Sequence, residues 1–272
     1  MTSTTAQKKA GTPRPRRQRV QSIATGMRIL KGLAQLGGRA SLTVLSRHVA
    51  ENPAKVHRYI TSLTEEGLVS QDPASAHYLL GAEAIHVGLA AMRLADPIRA
   101  AEAELIHLRE KLEMTCFIAV MGNKGPTIVR FEEPGLPVTL NVRVGSVLPL
   151  LWSATGRVCL GFLDDSRVST LAQDELGQAS PERRVQLDRA DPIGWIQREV
   201  RSAGMAIVRD TNLQGISAIA VPIFDFTERA RAILTVLGTT GSFDTAADGD
   251  VATLMLEVAE SISSSLGHSR KA

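Results

Sequence analysis

Along residues 42–69 the apolar positions fall into two short runs of helical period. In the second run Val56, Ile60 and Leu63 recur at spacings of four and three, which stacks them on one face and leaves Lys55, His57, Arg58 and Thr61 on or near the other. Asn52 marks its start as an N-cap that accepts from free backbone N–H groups, and Pro53 suits the first helical position, where no N–H is needed. Gly67 tolerates the left-handed backbone that closes a helix. The preceding run, Leu42, Leu45 and Val49 behind Ser41 or Thr43 as caps, offers a matching apolar stripe. Two such helices around a tight corner outline a helix-turn-helix. After Gly67 the period changes, and residues 68–71 and 77–80 around the turn 72–76 predict a β-hairpin, a wing. With Ile23, Met27, Leu30 and Leu33 forming a further helical stripe upstream, residues 21–81 predict one winged domain. Such a domain sets its second motif helix in a major groove while the wing meets backbone or minor groove. The same helices, taken alone, also fit a plain helical subdomain.

Residues 82–95 carry an Ala- and Leu-rich helical pattern that predicts a linker helix. Asp96 and Pro97 repeat the cap-plus-proline signal and open a helix lined by Ile98, Leu105, Leu108 and Leu112. From there to 268 the pattern alternates: strands at CFIAVMG, TIVRFE and VTLNV, a helix at SATGRVCLGFL, and a helix at DPIGWIQREVRSAG closed by Gly204. Strands at MAIVRD, ISAIAVPIFD and AILTVLG follow, then a last helix through Val251, Leu254, Val258 and Ile262. This order predicts an α+β domain over 96–268 with a mainly antiparallel sheet, one face of which is free to build a pocket.

Composition changes this picture little. At 272 residues, 44% hydrophobic and 22% charged, the chain has room for two ordinary domains. Charge changes it more. The net charge is +3, yet residues 1–20 alone carry +6 from Lys8, Lys9, Arg14, Arg16, Arg17 and Arg19 with no acid, so the rest sums to −3. A basic arm beside a winged domain can reach phosphates or a minor groove; it also fits a solvated or targeting tail. No apolar run approaches 18 residues, and no apolar segment follows the basic N-terminus as in a signal peptide, so a cytoplasmic protein without membrane contact is expected. Cys116 and Cys159 lack Cys-x-x-Cys spacing and read as buried thiols, and the six histidines are scattered. Neither metal nor cofactor is expected.

The chain resembles the IclR family of bacterial transcriptional regulators from Gln21 to Leu266. In the first half the matching residues are Val56-His57-Arg58, Leu63, Glu65-Glu66-Gly67-Leu68-Val69 and Tyr78-Leu79-Leu80-Gly81. In the second they are Gly145-Ser146-Val147-Leu148-Pro149, Ser153-Ala154-Thr155-Gly156-Arg157, and the most specific stretch, Gly215 to Asp225. The resemblance implies a winged helix-turn-helix, a linker helix and a GAF/profilin-like effector domain. It also implies homodimers or dimers of dimers on partly palindromic double-stranded operators, responding to small organic acids. The sequence departs from the family pattern at the corner, where Ala50 replaces the usual glycine, and before Val56, where Ala54 and Lys55 replace small hydroxyl residues. Ala50 implies either ordinary backbone geometry there or strain at a positive φ.

The expected DNA contacts are Lys55, His57, Arg58 and Thr61 on the reading helix, with Arg47 and His77 toward phosphates. Arg58 has an alternative use in an ion pair with Glu65 or Glu66. For the effector, the family's positions carry over onto Ala154, Thr155, Gly156, Asp210, Ser217, Ile219, Thr235 and Leu237, with Leu140 and Leu148 as further walls. A helix N-terminus with free N–H groups suits a carboxylate, and hydroxyls can add donors or merely satisfy strand and helix ends. Arg143 is a candidate counter-ion. Two other functions stand beside this one: a DNA-binding protein whose second half only oligomerises, and a small-molecule enzyme with an appended DNA-binding domain. For the enzyme, no Gly-x-Ser-x-Gly elbow, phosphate loop or metal-ligand cluster is present.

Overall fold

A computed structural model describes residues 20–135, 142–187, 190–241 and 244–269. The basic arm through residue 19, most of the expected VTLNV strand and Leu140 lie outside the described residues. The chain divides into two units, Met1–Leu94 and Ala95–Ala272.

The first unit contains α1 (Gln21–Gln35), β1 (Arg39–Ala40), α2 (Leu42–His48), α3 (Pro53–Glu65), β2 (Val69–Gln71), β3 (Tyr78–Leu80) and α4 (Ala82–Leu94). Its core is Ile29, Leu33, Leu45, Val56 and Ile60, each at most 1% exposed, joined by Leu63, Val69 and Tyr78. This corrects the stripe expected upstream: α1 turns Ile29 and Leu33 inward, while Ile23 and Met27 are exposed. Each such side chain contributes about 1.5–3 kcal/mol on leaving water. Ser41 caps α2 by accepting from the Val44 N–H at 3.3 Å, and Asn52 caps α3 by accepting from the Ala54 N–H at 2.9 Å. The wing is a hairpin of β2 and β3, extended by β1 on the other side of β3. No residue of α4 is buried.

The second unit contains α5 (Pro97–Leu112), β4 (Thr115–Gly122), β5 (Gly125–Glu132), α6 (Ala154–Phe162), α7 (Ser166–Gln178), α8 (Pro181–Val185), α9 (Pro192–Ala203), β6 (Ala206–Arg209), β7 (Ile216–Phe224), β8 (Ala230–Thr239) and α10 (Asp250–Ser265). Five strands pair antiparallel in the order β5-β4-β8-β7-β6. Both faces of this sheet are covered, which corrects the expectation of a free face. On one side Phe117, Ile128 and Ile233 pack with Trp152 and with α6, α7 and α9 through Val158, Val168, Ile196 and Val200. On the other, Ile118, Ile219, Val221 and Val236 pack with α5 and α10 through Leu105, Leu108, Met255 and Ile262. Strand alternation divides the two cores, since successive residues point to opposite faces.

Candidate DNA-reading helix and effector pocket

Burial of Val56, Ile60 and Leu63 fixes the rotation of α3 and turns Ala54, His57, Arg58 and Thr61 to the exposed side. The Arg58 guanidinium lies 5.9 Å from the Tyr59 ring and pairs with neither Glu65 nor Glu66 among the described residues, so its donors remain available. His57 Nδ1 is 3.3 Å from the Tyr78 hydroxyl and ties the helix to the wing, while the Thr61 hydroxyl donates to the His57 carbonyl at 3.0 Å. Arg47 is exposed near the end of α2.

Two candidates are more constrained than the sequence suggests. Lys55 Nζ donates to Glu51 at 3.0 Å, and Glu51 also pairs with Arg28 from α1. The Lys55 hydrogen bond and the two cations hold the Glu51 carboxyl below its ordinary range despite some desolvation. His77 is half-buried, its Nδ1 3.0 Å from the Ser75 carbonyl, so it braces the wing turn. In that turn Asp72 accepts from the Ala74 N–H at 3.0 Å, the Ser75 hydroxyl at 2.5 Å and Arg39 at 3.3 Å. Arg39, 55% exposed beside the wing, is a cation that the pattern reading passed over. Ala50 has φ +54°, so the corner does take the left-handed geometry for which glycine is the usual residue.

In the second unit a cavity of about 40 Å³ opens at the N-terminus of α6. Its walls are apolar, from Phe117, Val142, Leu148, Val208, Ile216 and Leu237, and its polar atoms come from Ser153, Thr155, Asn212 and Thr235. No cationic side chain lines it among the described residues. The Thr155 and Thr235 hydroxyls are 2.9 Å apart and buried, each the other's partner. Ser153 caps the helix by accepting from the Gly156 N–H at 2.9 Å. The N–H groups of Ala154 and Thr155 make no hydrogen bond within the described residues, as expected for the first turn of a helix.

The segment leading into α6 is fixed from several directions. Glu175 accepts from the Leu150 and Leu151 N–H groups at 2.7 and 3.2 Å, Arg157 Nε donates to the Leu151 carbonyl at 2.8 Å, and the Thr211 hydroxyl donates to the Trp152 carbonyl at 2.7 Å. Burial pushes the Glu175 carboxyl above its ordinary range, partly offset by the two N–H groups and Arg183.

Of the effector candidates, Leu148, Ala154, Thr155, Thr235 and Leu237 line the cavity. Gly156 serves a different purpose: a Cβ there would collide with the Pro149 carbonyl and the Leu150 backbone, so the glycine permits that close approach. Ser217 and Ile219 are corrected by alternation. Ile216 and Ala218 face the cavity, so Ser217 and Ile219 face away; Ile219 sits in the core against α5 and α10, and the Ser217 hydroxyl is 2.9 Å from that of Thr240. Asp210 is also outside the cavity; with φ +55° it accepts from the Gly215 N–H at 2.7 Å and the Thr240 hydroxyl at 2.8 Å, closing the loop between β6 and β7. Arg143 is exposed and away from the lining. Phe117, Val208, Asn212 and Leu213 enter the lining without having been anticipated.

Cys116 and Cys159 are buried and unpaired, and burial pushes both thiols up to about 12, so neither is a nucleophile at neutral pH. Among the described residues there is no His/Cys/Asp/Glu cluster fit for a metal ion and no helix long and apolar enough to cross a membrane.

A winged helix-turn-helix in one chain with an α+β domain of antiparallel sheet is the architecture of a DNA-binding transcriptional regulator. Residues 22–73 match the profile described as the IclR helix-turn-helix domain, and residues 90–264 that of the bacterial transcriptional regulator IclR C-terminal domain. The chain belongs to the IclR family. It is 25% identical over 248 residues to the DNA-binding transcriptional repressor YiaJ of Escherichia coli, covering 91% of this chain and 88% of that one. The crystal structure of Pseudomonas aeruginosa HmgR superposes with a TM-score of 0.84 at 37% identity, over 93% of this chain and all of that one. An IclR homologue from Microbacterium hydrocarbonoxydans, solved in complex with 4-hydroxybenzoate, shares the fold at a TM-score of 0.53 and 17% identity, over 90% of this chain and 99% of that one.

Proposed function

We propose that this regulator's DNA binding is controlled by a small organic acid, aromatic or short aliphatic, bound in the cavity at the N-terminus of α6. The observation that carries this reading is the pairing of apolar walls with two unspent backbone N–H groups in a recess without a cationic side chain. A carboxylate there meets the positive end of the helix, and its apolar body replaces contacts with Phe117, Leu148 and Leu237. Thr155 and Thr235 then exchange their mutual hydrogen bond for bonds to the ligand. The homologue that binds 4-hydroxybenzoate supports the class of ligand. The protein works as a cytoplasmic homodimer or dimer of dimers rather than as an enzyme. Exposed Ile23 and Met27 on α1, and Ile85, Val87, Met92 and Leu94 on α4, supply apolar surface for a second copy.

On the DNA side Arg47, Arg58, His57 and Thr61 contact the operator directly, and Lys55 does so in exchange with Glu51. Arg58→Ala is expected to weaken operator binding by about 1–3 kcal/mol at constant salt, read by fluorescence anisotropy; unchanged affinity removes Arg58 from the interface.

The effector reading is tested by thermal unfolding of the full chain against a panel of organic acids that includes 4-hydroxybenzoate. A ligand at about 100 times its Kd adds about 2.7 kcal/mol of stability and raises Tm, and Thr155→Val is expected to reduce that rise while leaving the ligand-free Tm within a few degrees. If no acid shifts Tm or alters operator affinity, the second half serves assembly alone.

A further inference from the structure

A second cavity, of about 150 Å³, lies between α6, α9 and the start of β6. Its walls are the side chains of Trp195, Ile196, Val200, Met205 and Ile207, and its charged groups are Arg157 from α6 and Glu199 from α9. Arg157 is partly buried, and burial lowers its pKa while the nearby Glu199 charge opposes that shift. Its Nε donates to the Leu151 carbonyl at 2.8 Å, which fixes the plane of the guanidinium. Its two terminal nitrogens make no hydrogen bond to the described residues, and Glu199 is not within ion-pair distance. A guanidinium held at its root, with its outer fork unspent and aimed into an apolar recess, is the arrangement that receives a carboxylate through two parallel N–H···O bonds.

We propose that this cavity is a second ligand site, for a small monocarboxylate with an aromatic or apolar body, its carboxylate on the fork of Arg157 and its body against Trp195 and Ile207. Glu199, exposed and part of the lining, repels a second negative charge and sets the preference for monoanions over dianions. The site is linked to the first cavity through covalent structure: Arg157 stands on the helix whose first turn floors that cavity, and it holds the carbonyl of Leu151 in the segment that leads there. The proposal stands independently of the first cavity's ligand.

The test is a titration of the full-length protein with benzoate, followed by the indole N–H resonances of its two tryptophans, Trp152 and Trp195, assigned by Trp195→Phe. The Trp195 resonance is expected to move along a saturable curve. Arg157→Met is expected to abolish that movement, Arg157→Lys to weaken binding at least fivefold, and Glu199→Gln to tighten it at least threefold by removing the opposing charge. A Trp195 resonance that does not respond, or that responds equally in Arg157→Met, overturns the site. If Arg157→Met does not fold, Arg157→Lys and Glu199→Gln decide, and an unchanged Kd in both overturns it. Thr155→Val is expected to leave the Trp195 response in place, so loss of the first cavity's ligand and loss of this one are read separately. Phthalate, a dianion of similar size, is expected to bind at least tenfold more weakly than benzoate, and equal affinity removes the role given to Glu199.

Discussion

Ala50 carries a left-handed backbone without glycine's freedom from a Cβ, at a cost of about 1–2 kcal/mol. Ala50→Gly relieves that strain and gives back part of the gain as unfolded-state entropy. A net stabilisation of about 0.5–1 kcal/mol is expected in the urea midpoint, and a loss of stability would show that the corner is held without strain. Glu51, next in the chain, neutralises Lys55 and Arg28 together. Glu51→Gln releases both, and the salt dependence of DNA affinity is expected to steepen by about one to two phosphate contacts. The reading-face residues were legible because a helix with three buried positions has only one rotation. The residues that line the cavity at α6 were less so. Residues 217–223 of β7 are all buried, so apolarity does not tell Ile216 and Ala218 from Ser217 and Ile219. Only the pairing of Ala218 with Leu237 and of Ala220 with Thr235 fixes which parity meets the cavity.

Helix ends were written plainly in the chain: Asn52-Pro53, Asp96-Pro97 and Asp191-Pro192 each place a capping side chain before a proline at the first turn. What escaped were elements with little apolar content. Helix α7 buries only Val168 and Ala172, a stripe too thin to stand out, and β1 is two residues long and gains its partner from Tyr78 and Leu79. The turn between β7 and β8 depends on a single carboxylate. Asp225 accepts from the Thr227 N–H at 2.8 Å, the Thr227 hydroxyl at 2.5 Å and Arg231 Nε at 2.5 Å. Burial pushes its carboxyl up, but Thr227 and Arg231 outweigh that and hold it below the ordinary range. A lowered folded pKa gives stability that is complete above the ordinary carboxylate range and lost as pH falls through the lowered value. Asp225→Asn is therefore expected to lower Tm at pH 7 and to flatten the acid side of the Tm–pH curve; a parallel curve would place that dependence elsewhere.

At the scale of the whole molecule, charge and topology are unevenly distributed along the chain. Residues 1–20 carry six cations while the rest of the chain sums to −3. Deleting them is expected to reduce the slope of log affinity against log salt by up to about 5, at roughly 0.9 per phosphate neutralised; an unchanged slope makes the arm a bystander. Covering of both sheet faces was not legible in the sequence, because it depends on α5 and α10 meeting across a strand order that local sequence does not encode. That order has a consequence during synthesis. The central strand β8 pairs with β4 on one side and β7 on the other, so the sheet of the second unit cannot close until Thr239 has left the ribosome, whereas the reading head is complete by Leu94. At roughly 5–20 residues per second the interval is on the order of 10 s. Throughout it the nascent chain has a finished DNA-binding unit and no finished sheet beside α6, so a prematurely terminated chain would release that unit without the strands that wall the cavity.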